Sequence, residues 1–192
     1  MRAEPEFALG WWRDALRRDS PHADARPAGR AIDLVVLHNI SLPPGRFGGP
    51  FIDALFLGRL DPDADPAFAD LAGLRVSAHF LVRREGEVVQ YVSCARRAWH
   101  AGVSEHRGRA RCNDFSIGIE LEGSDHCAFE AAQYAALARL LPALCAAYPI
   151  GEVVGHSDIA PQRKSDPGPH FDWTALRRLS GLPATLFGAH PD

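Results

Sequence analysis

Lysine is nearly missing from this 192-residue chain: of 21 basic residues, only Lys164 is not arginine. Codon bias explains an excess of arginine, but not the place where the one lysine survives. A compact ammonium and a planar guanidinium are not interchangeable where one charge must meet one atom, so Lys164 enters as a candidate functional residue. Cysteine is sparse as well. Cys94, Cys112, Cys127 and Cys145 form no C-x-x-C pair, which argues against a cysteine-built zinc site and fits reduced, buried thiols. No apolar stretch approaches the roughly 20 residues that span a bilayer. The opening MRAEPEFALGWWRDALRRDS lacks the apolar middle of a signal peptide, so the expected location is the cytoplasm. Excess positive charge is also absent. The formal net charge is -3, and neither a nucleic-acid nor a membrane partner is expected.

The composition is that of an ordinary globular domain, 46% hydrophobic and 23% charged, and the length allows one full core. Repeats, low-complexity tracts and long linkers are not found. Residues 1–30 read as a peripheral segment, residues 31–181 as the domain, and residues 182–192 as a tail. The aliphatic run Ile32 to Ile40 reads as a buried central strand ending in His38 and Asn39. A Gly/Pro-rich loop follows, then a short helix over 51–58 and a second helical candidate from Pro66 to Leu74. Val76–Val82 and Glu87–Val92 read as strands joined by a tight turn at Glu85-Gly86. Residues 93–114 show no period and read as loop. Phe115 to Leu121 alternates, with Phe115, Ile117, Ile119 and Leu121 on one face and Ser116, Gly118, Glu120 and Glu122 on the other. Ala131 to Tyr148 carries a helical apolar stripe that Pro142 should kink or divide. Val153 to His156 is a short strand ending in histidine, and Asp172 caps a last helix over about Trp173–Leu179. The order predicts an α/β fold with a mixed central β-sheet flanked by helices.

His38 and His156 each end an apolar strand run, and sites in open α/β sheets gather beyond the carboxyl ends of strands. Asp166 follows His156 on a loop stiffened by Pro161, Pro167 and Pro169. Two histidines and a carboxylate with one position open make a catalytic zinc shell. A strand-end histidine is also a common hydrogen-bonded structural residue, and D-P-G-P a common turn. Spacing alone leaves both readings open, since no HExxH regularity is present. Glu120 either lies on a solvated outer face or stands beside a metal as a proton acceptor.

The segments LVVLHNISLPPGRFGGPFIDALF, RVSAHFLVRREGEVVQYV, RRAWHAGVS, RCNDFSIGIELEG and GHSDIAPQRKSDPGPHFDW together resemble the AmpD-type N-acetylmuramoyl-L-alanine amidases, relatives of the peptidoglycan recognition proteins. The resemblance runs from about Leu34 to Trp173 and implies that fold in a single domain. It implies one zinc ion per chain held by His38, His156 and Asp166, with Glu120 as catalytic carboxylate and Lys164 as the cation near the reacting carbonyl. It further implies substrate contacts from Asn39, Arg75, Trp99 and Arg111. His79 and His100 lie in matching blocks and compete for a metal, but the family pattern favours His38 and His156. His79 is then structural and His100 a pocket residue beside Trp99. The implied activity is hydrolysis of the amide between (1,6-anhydro-)N-acetylmuramic acid and L-alanine in muropeptides, by a monomer acting in cytoplasmic wall recycling. The alternative on the same fold is a receptor that holds peptidoglycan fragments without cutting them.

Overall fold

A computed structural model describes residues 6–188 and 190. The first five residues of the expected front segment, and Ala189, Pro191 and Asp192 of the expected tail, lie outside the described residues. The fold is mixed α/β. Its central sheet has six strands: β1 (Leu16–Arg17), β2 (Leu34–Ile40), β3 (Phe80–Val82), β4 (Val88–Gln90), β5 (Ser116–Glu122) and β6 (Glu152–Gly155). Their spatial order is β6-β2-β5-β3-β4-β1. The first four of these run parallel, β4 returns antiparallel to β3, and β1 pairs parallel with β4 at the edge.

The inner strands are apolar because both of their faces are covered. Val35, Leu37, Ile117, Ile119 and Leu121 pack against α2 (Ala131–Ala147) and α4 (Trp173–Ser180). On the opposite face Leu34 and Val36 meet Ala101, Cys112 and Phe115 from the long 93–115 segment. A third cluster seats α1 (Phe51–Phe56) against Leu81, Val89 and Tyr91. Residues 6–30 run along the sheet edge. Trp12 is buried and its backbone N–H donates to Gln90 Oε1 at 2.7 Å, and Ala23–Ala25 pairs antiparallel with Arg96–Ala98.

Several local expectations need correction. Phe115 does not share the face of Ile117. The strand begins only at Ser116, and the backbone of Phe115 is not extended (φ -133°, ψ 8°), so its ring joins the cluster on the other face. Pro142 does not divide α2, which runs unbroken from Ala131 to Ala147. Leu137, Leu140, Leu141 and Leu144 are buried around it, and that packing offsets the missing hydrogen bond. The strand face that carries Glu120 is covered at Glu122, which is fully buried and accepts from the backbone N–H of Gly48 at 2.7 Å and of Arg84 at 3.3 Å. The Pro66–Leu74 candidate forms a 3-10 turn over Pro66–Leu71. Residues 93–114 are not plain loop, since they hold the pairing strand Arg96–Ala98 and a small hairpin of Glu105–His106 with Arg109–Ala110. His156 does not end β6 but opens the one-turn helix α3 (His156–Ile159). Asp172 caps α4 as expected, its carboxylate accepting from the Ala175 N–H at 2.8 Å.

Candidate metal centre

Parallel pairing sets the first two candidates. Glu120 on β5 lies level with His38 on β2, and level residues on neighbouring parallel strands project from the same face. One strand further out, Gly155 lies level with Leu37, and the next residue, His156, arrives at the same rim. Gly155 also lets the distal loop come close, because a Cβ there would stand 2.7 Å from Pro167 Cδ. The returning loop is held by the Ser157 N–H donating to the Asp166 backbone carbonyl at 3.0 Å.

Asp166 thereby meets both histidines. His38 Nδ1 and His156 Nδ1 are 2.9 Å apart, and each is 3.0 Å from Asp166 Oδ2. Both imidazoles are buried, at 1% and 2% exposure. His156 Nε2 faces the Ala101 carbonyl at 3.1 Å. A carbonyl only accepts, so His156 Nε2 carries a proton. Burial holds the His38 imidazole down at about 4, against the pull of Asp166, so it is neutral at neutral pH. Burial opposes ionisation of Asp166, yet the two imidazoles beside it hold its carboxyl well below the usual range. Two imidazole nitrogens and an ionised oxygen crowded on one point are a donor set suited to a divalent cation. Two nitrogens with one oxygen match zinc in a site that keeps a position open.

Glu120 stands beside this triad. Its Oε2 is buried and has no hydrogen-bond partner among the described residues. Burial first, and then the charge of Asp166, raise its carboxyl well above the ordinary range, with Lys164 opposing. A carboxyl oxygen without a partner, on a residue lining the same cavity as the three converging donors, is suited to take a proton from water held there.

These groups open into a cavity of about 460 Å³. Its lining combines the polar His38, Glu120, Lys164 and Asp166 with the apolar Leu55, Phe56, Leu74, Val76 and Trp99. Asn39 lines the cavity too, and its amide is already engaged, donating to Asp125 Oδ1 at 2.6 Å and to the Pro167 carbonyl at 3.0 Å. Trp99 stacks on His22 with ring centroids 6.0 Å apart. Arg75 lines an adjoining hollow of about 260 Å³ that shares Leu55 and Leu74 with the main cavity. Arg111 lies outside the cavity lining, on an exposed loop, with its Nε 3.3 Å from Asp114 Oδ2. His100 lines the cavity, whereas His79 is fully buried and accepts from the Gly118 N–H at 3.0 Å through Nδ1.

Sequence reasoning missed Asp125, Ser165 and Arg163. Asp125 bonds both Asn39 and the Ser165 hydroxyl, which ties the Lys164–Asp166 loop to the end of β2. An isolated loop aspartate carries no signal of that role. Arg163 donates to the carbonyls of Ala101 at 2.9 Å and Val103 at 2.7 Å, and its place beside Lys164 was the one available hint.

The sequence profile of a family described as N-acetylmuramoyl-L-alanine amidase matches residues 28–169. The 1,6-anhydro-N-acetylmuramyl-L-alanine amidase AmpD of Escherichia coli (strain K12) is 60% identical over 172 residues, 88% of this chain and 94% of that protein. A crystal structure of a selenomethionine AmpD derivative superposes with a TM-score of 0.88 at 59% identity, covering 90% of this chain and 98% of the other. The E. coli amidase AmiD, solved with the substrate anhydro-N-acetylmuramic acid-L-Ala-D-gamma-Glu-L-Lys, superposes at 0.59 with 36% identity, over 87% of this chain and 63% of that one.

Proposed function

This chain belongs to the N-acetylmuramoyl-L-alanine amidase family, and from that premise we propose that it uses one zinc ion to hydrolyse the amide between (1,6-anhydro-)N-acetylmuramic acid and L-alanine in muropeptides. The observation that carries the reading is the convergence of His38 Nδ1, His156 Nδ1 and Asp166 Oδ2 within 2.9–3.0 Å of one another, beside the orphaned Glu120 Oε2. Relatives support the substrate class: AmiD was solved with an anhydro-muramyl tripeptide, and the AmpD relatives carry the anhydro-muramyl specificity in their names.

An amide resists water because water is a weak nucleophile and an amine anion a poor leaving group. Zinc held by His38, His156 and Asp166 would supply Lewis acidity, making water a stronger nucleophile at neutral pH. Glu120 takes the proton from the attacking water and passes it to the departing alanine nitrogen. The carbonyl carbon gains the hydroxyl, the C–N bond breaks, and the nitrogen leaves as an amine. Lys164 sets its ammonium against the carbonyl oxygen as charge grows there. Trp99 and the apolar lining residues take the uncharged surface of the substrate, and Asn39 holds the rim. Arg75, in the adjoining hollow, and Arg111, on its exposed loop, are the guanidiniums proposed to meet stem carboxylates. The proposed setting is cytoplasmic peptidoglycan recycling. No helix among the described residues is long and apolar enough to cross a membrane.

The test is incubation of zinc-loaded protein with anhydro-muramyl tripeptide, with products read by mass spectrometry. Free anhydro-sugar and intact tripeptide are expected. Free amino acids with the sugar–alanine bond whole would make the chain a stem peptidase, and uncut substrate would make it a binding protein.

A further inference from the structure

The outer faces of the two histidines are held by one short segment. His156 Nε2 donates to the carbonyl of Ala101 at 3.1 Å. The neighbouring residue, His100, brings its Nδ1 to 2.9 Å from His38 Nε2, and its own Nε2 lies 3.1 Å from Ser116 Oγ. Asn113 fixes this segment from outside, its Oδ1 accepting from the backbone N–H groups of His100 at 3.2 Å and Ala101 at 2.9 Å. Beneath the ring lies Gly118 of β5, where a Cβ would stand 2.4 Å from His100 Cγ. Ser116, Gly118 and Glu120 share one face of that strand. They act in turn, as hydrogen-bond partner of His100, as space for its ring, and as the carboxylate in the cavity.

We propose that His100 is a positioning residue that accepts the Nε2 proton of His38, so that His100 and the Ala101 carbonyl lock both imidazoles as Nε2–H tautomers. Both Nδ1 lone pairs then face the same point as Asp166 Oδ2 before any ion arrives. On the outer side the chain of donors closes: His38 Nε2–H gives to His100 Nδ1, and His100 Nε2–H gives to Ser116 Oγ. The opposite arrangement would put a proton on His38 Nδ1, directed at Asp166, and would block one of the three ligand positions. Groups that orient metal-binding histidines in this way contribute about 10- to 100-fold to metal affinity. The inference rests on the metal reading above, and its test separates the two.

Long-range proton–nitrogen NMR of the full, metal-stripped chain reports which ring nitrogen of His38 and His156 is protonated, and zinc titration against a competing chelator reports affinity. The expected result is Nε2 protonation of both rings, with zinc held about 10- to 100-fold more weakly by His100→Leu. His100→Asn, which keeps an acceptor near the Nδ1 position, recovers most of the loss. Gly118→Ala, which leaves the chemistry of His100 untouched but displaces its ring, weakens zinc in the same direction. A wild-type His38 carrying its proton on Nδ1 would overturn the proposal, as would unchanged affinity in both His100→Leu and Gly118→Ala. A wild-type chain that takes up no zinc yet keeps both protons on Nε2 would remove the metal reading and leave the assignment of His100 standing.

Discussion

Glu120→Gln separates what this carboxylate does for turnover from what it costs the fold. The side chain keeps its shape and loses its charge. If Glu120 moves the water proton, the zinc-loaded variant loses at least ~10²-fold in turnover, the usual scale of a positioned acid–base group, or about 2.7 kcal/mol of barrier. Zinc content stays unchanged, because Glu120 is not among the three converging donors. Stability moves the other way. Oε2 is buried without a partner, and a buried polar group left unsatisfied costs about 1–3 kcal/mol, more when it is charged. The glutamine amide keeps part of that cost, so a gain of about 1 kcal/mol is expected, or roughly 2–4 °C for a domain of this size. The gain depends on pH. The carboxyl is raised well above its ordinary value in the folded chain, so the folded state binds the proton more tightly than the unfolded one. Below about pH 4 both states are protonated and the penalty vanishes; it grows as pH rises toward the folded value. Thermal unfolding of metal-stripped wild type and variant should therefore coincide near pH 4 and diverge at pH 7, with the variant more stable. A variant less stable at pH 7, or one whose turnover stays within about threefold of wild type, would refute the assignment, since general acid–base effects are far larger.

Other expectations follow from the same geometry. Asp166→Ala should lose both zinc retention and turnover, read by metal analysis and product release; a variant with full metal content and full activity would remove Asp166 from the ligand set. Lys164→Arg should keep zinc but lose turnover, because the charge is retained and its geometry is not; wild-type kinetics would make the lone lysine an accident of composition. Away from the site, Arg97 grips Asp24 with Nε–Oδ1 and Nη2–Oδ2 contacts of 2.7 and 2.6 Å, and those hydrogen bonds hold the Asp24 carboxyl below its ordinary range. Its stability contribution is therefore present above the unfolded value of about 3.9 and is lost as pH falls through the lower folded one. Asp24→Asn should cost about 0.2–1 kcal/mol at pH 7 after allowing for solvent screening. The gap should close in acid melts, and a gap that widened there would reverse the sign of the argument.

The parts of this molecule that burial dictates were readable in the sequence. The aliphatic run ending in His38, the alternation around Glu120 and the cap at Asp172 each follow a period or a pairing rule that a one-dimensional reading can see. Phe115 misled because alternation was extended one residue beyond the strand. Pro142 does not divide its helix because leucines pack around it, which a propensity cost alone does not weigh. The segment from residue 93 to 114 resisted for another reason: its shape comes from single hydrogen bonds, such as Asn113 Oδ1 to two backbone N–H groups, which leave no periodic trace. The pairing of Asp166 with His38 spans 128 positions, so spacing alone could only suggest it. The family resemblance brought those residues together as a set of roles, and the distances among them rest on the fold.

The most direct test of the central claim is titration of zinc into metal-stripped protein while the release of intact stem peptide from anhydro-muramyl tripeptide is followed. The account predicts no release at the start, a linear rise to one zinc per chain, and a plateau beyond it. Full release from the stripped protein, or a rise that ignores stoichiometry, would contradict a single catalytic zinc held by His38, His156 and Asp166.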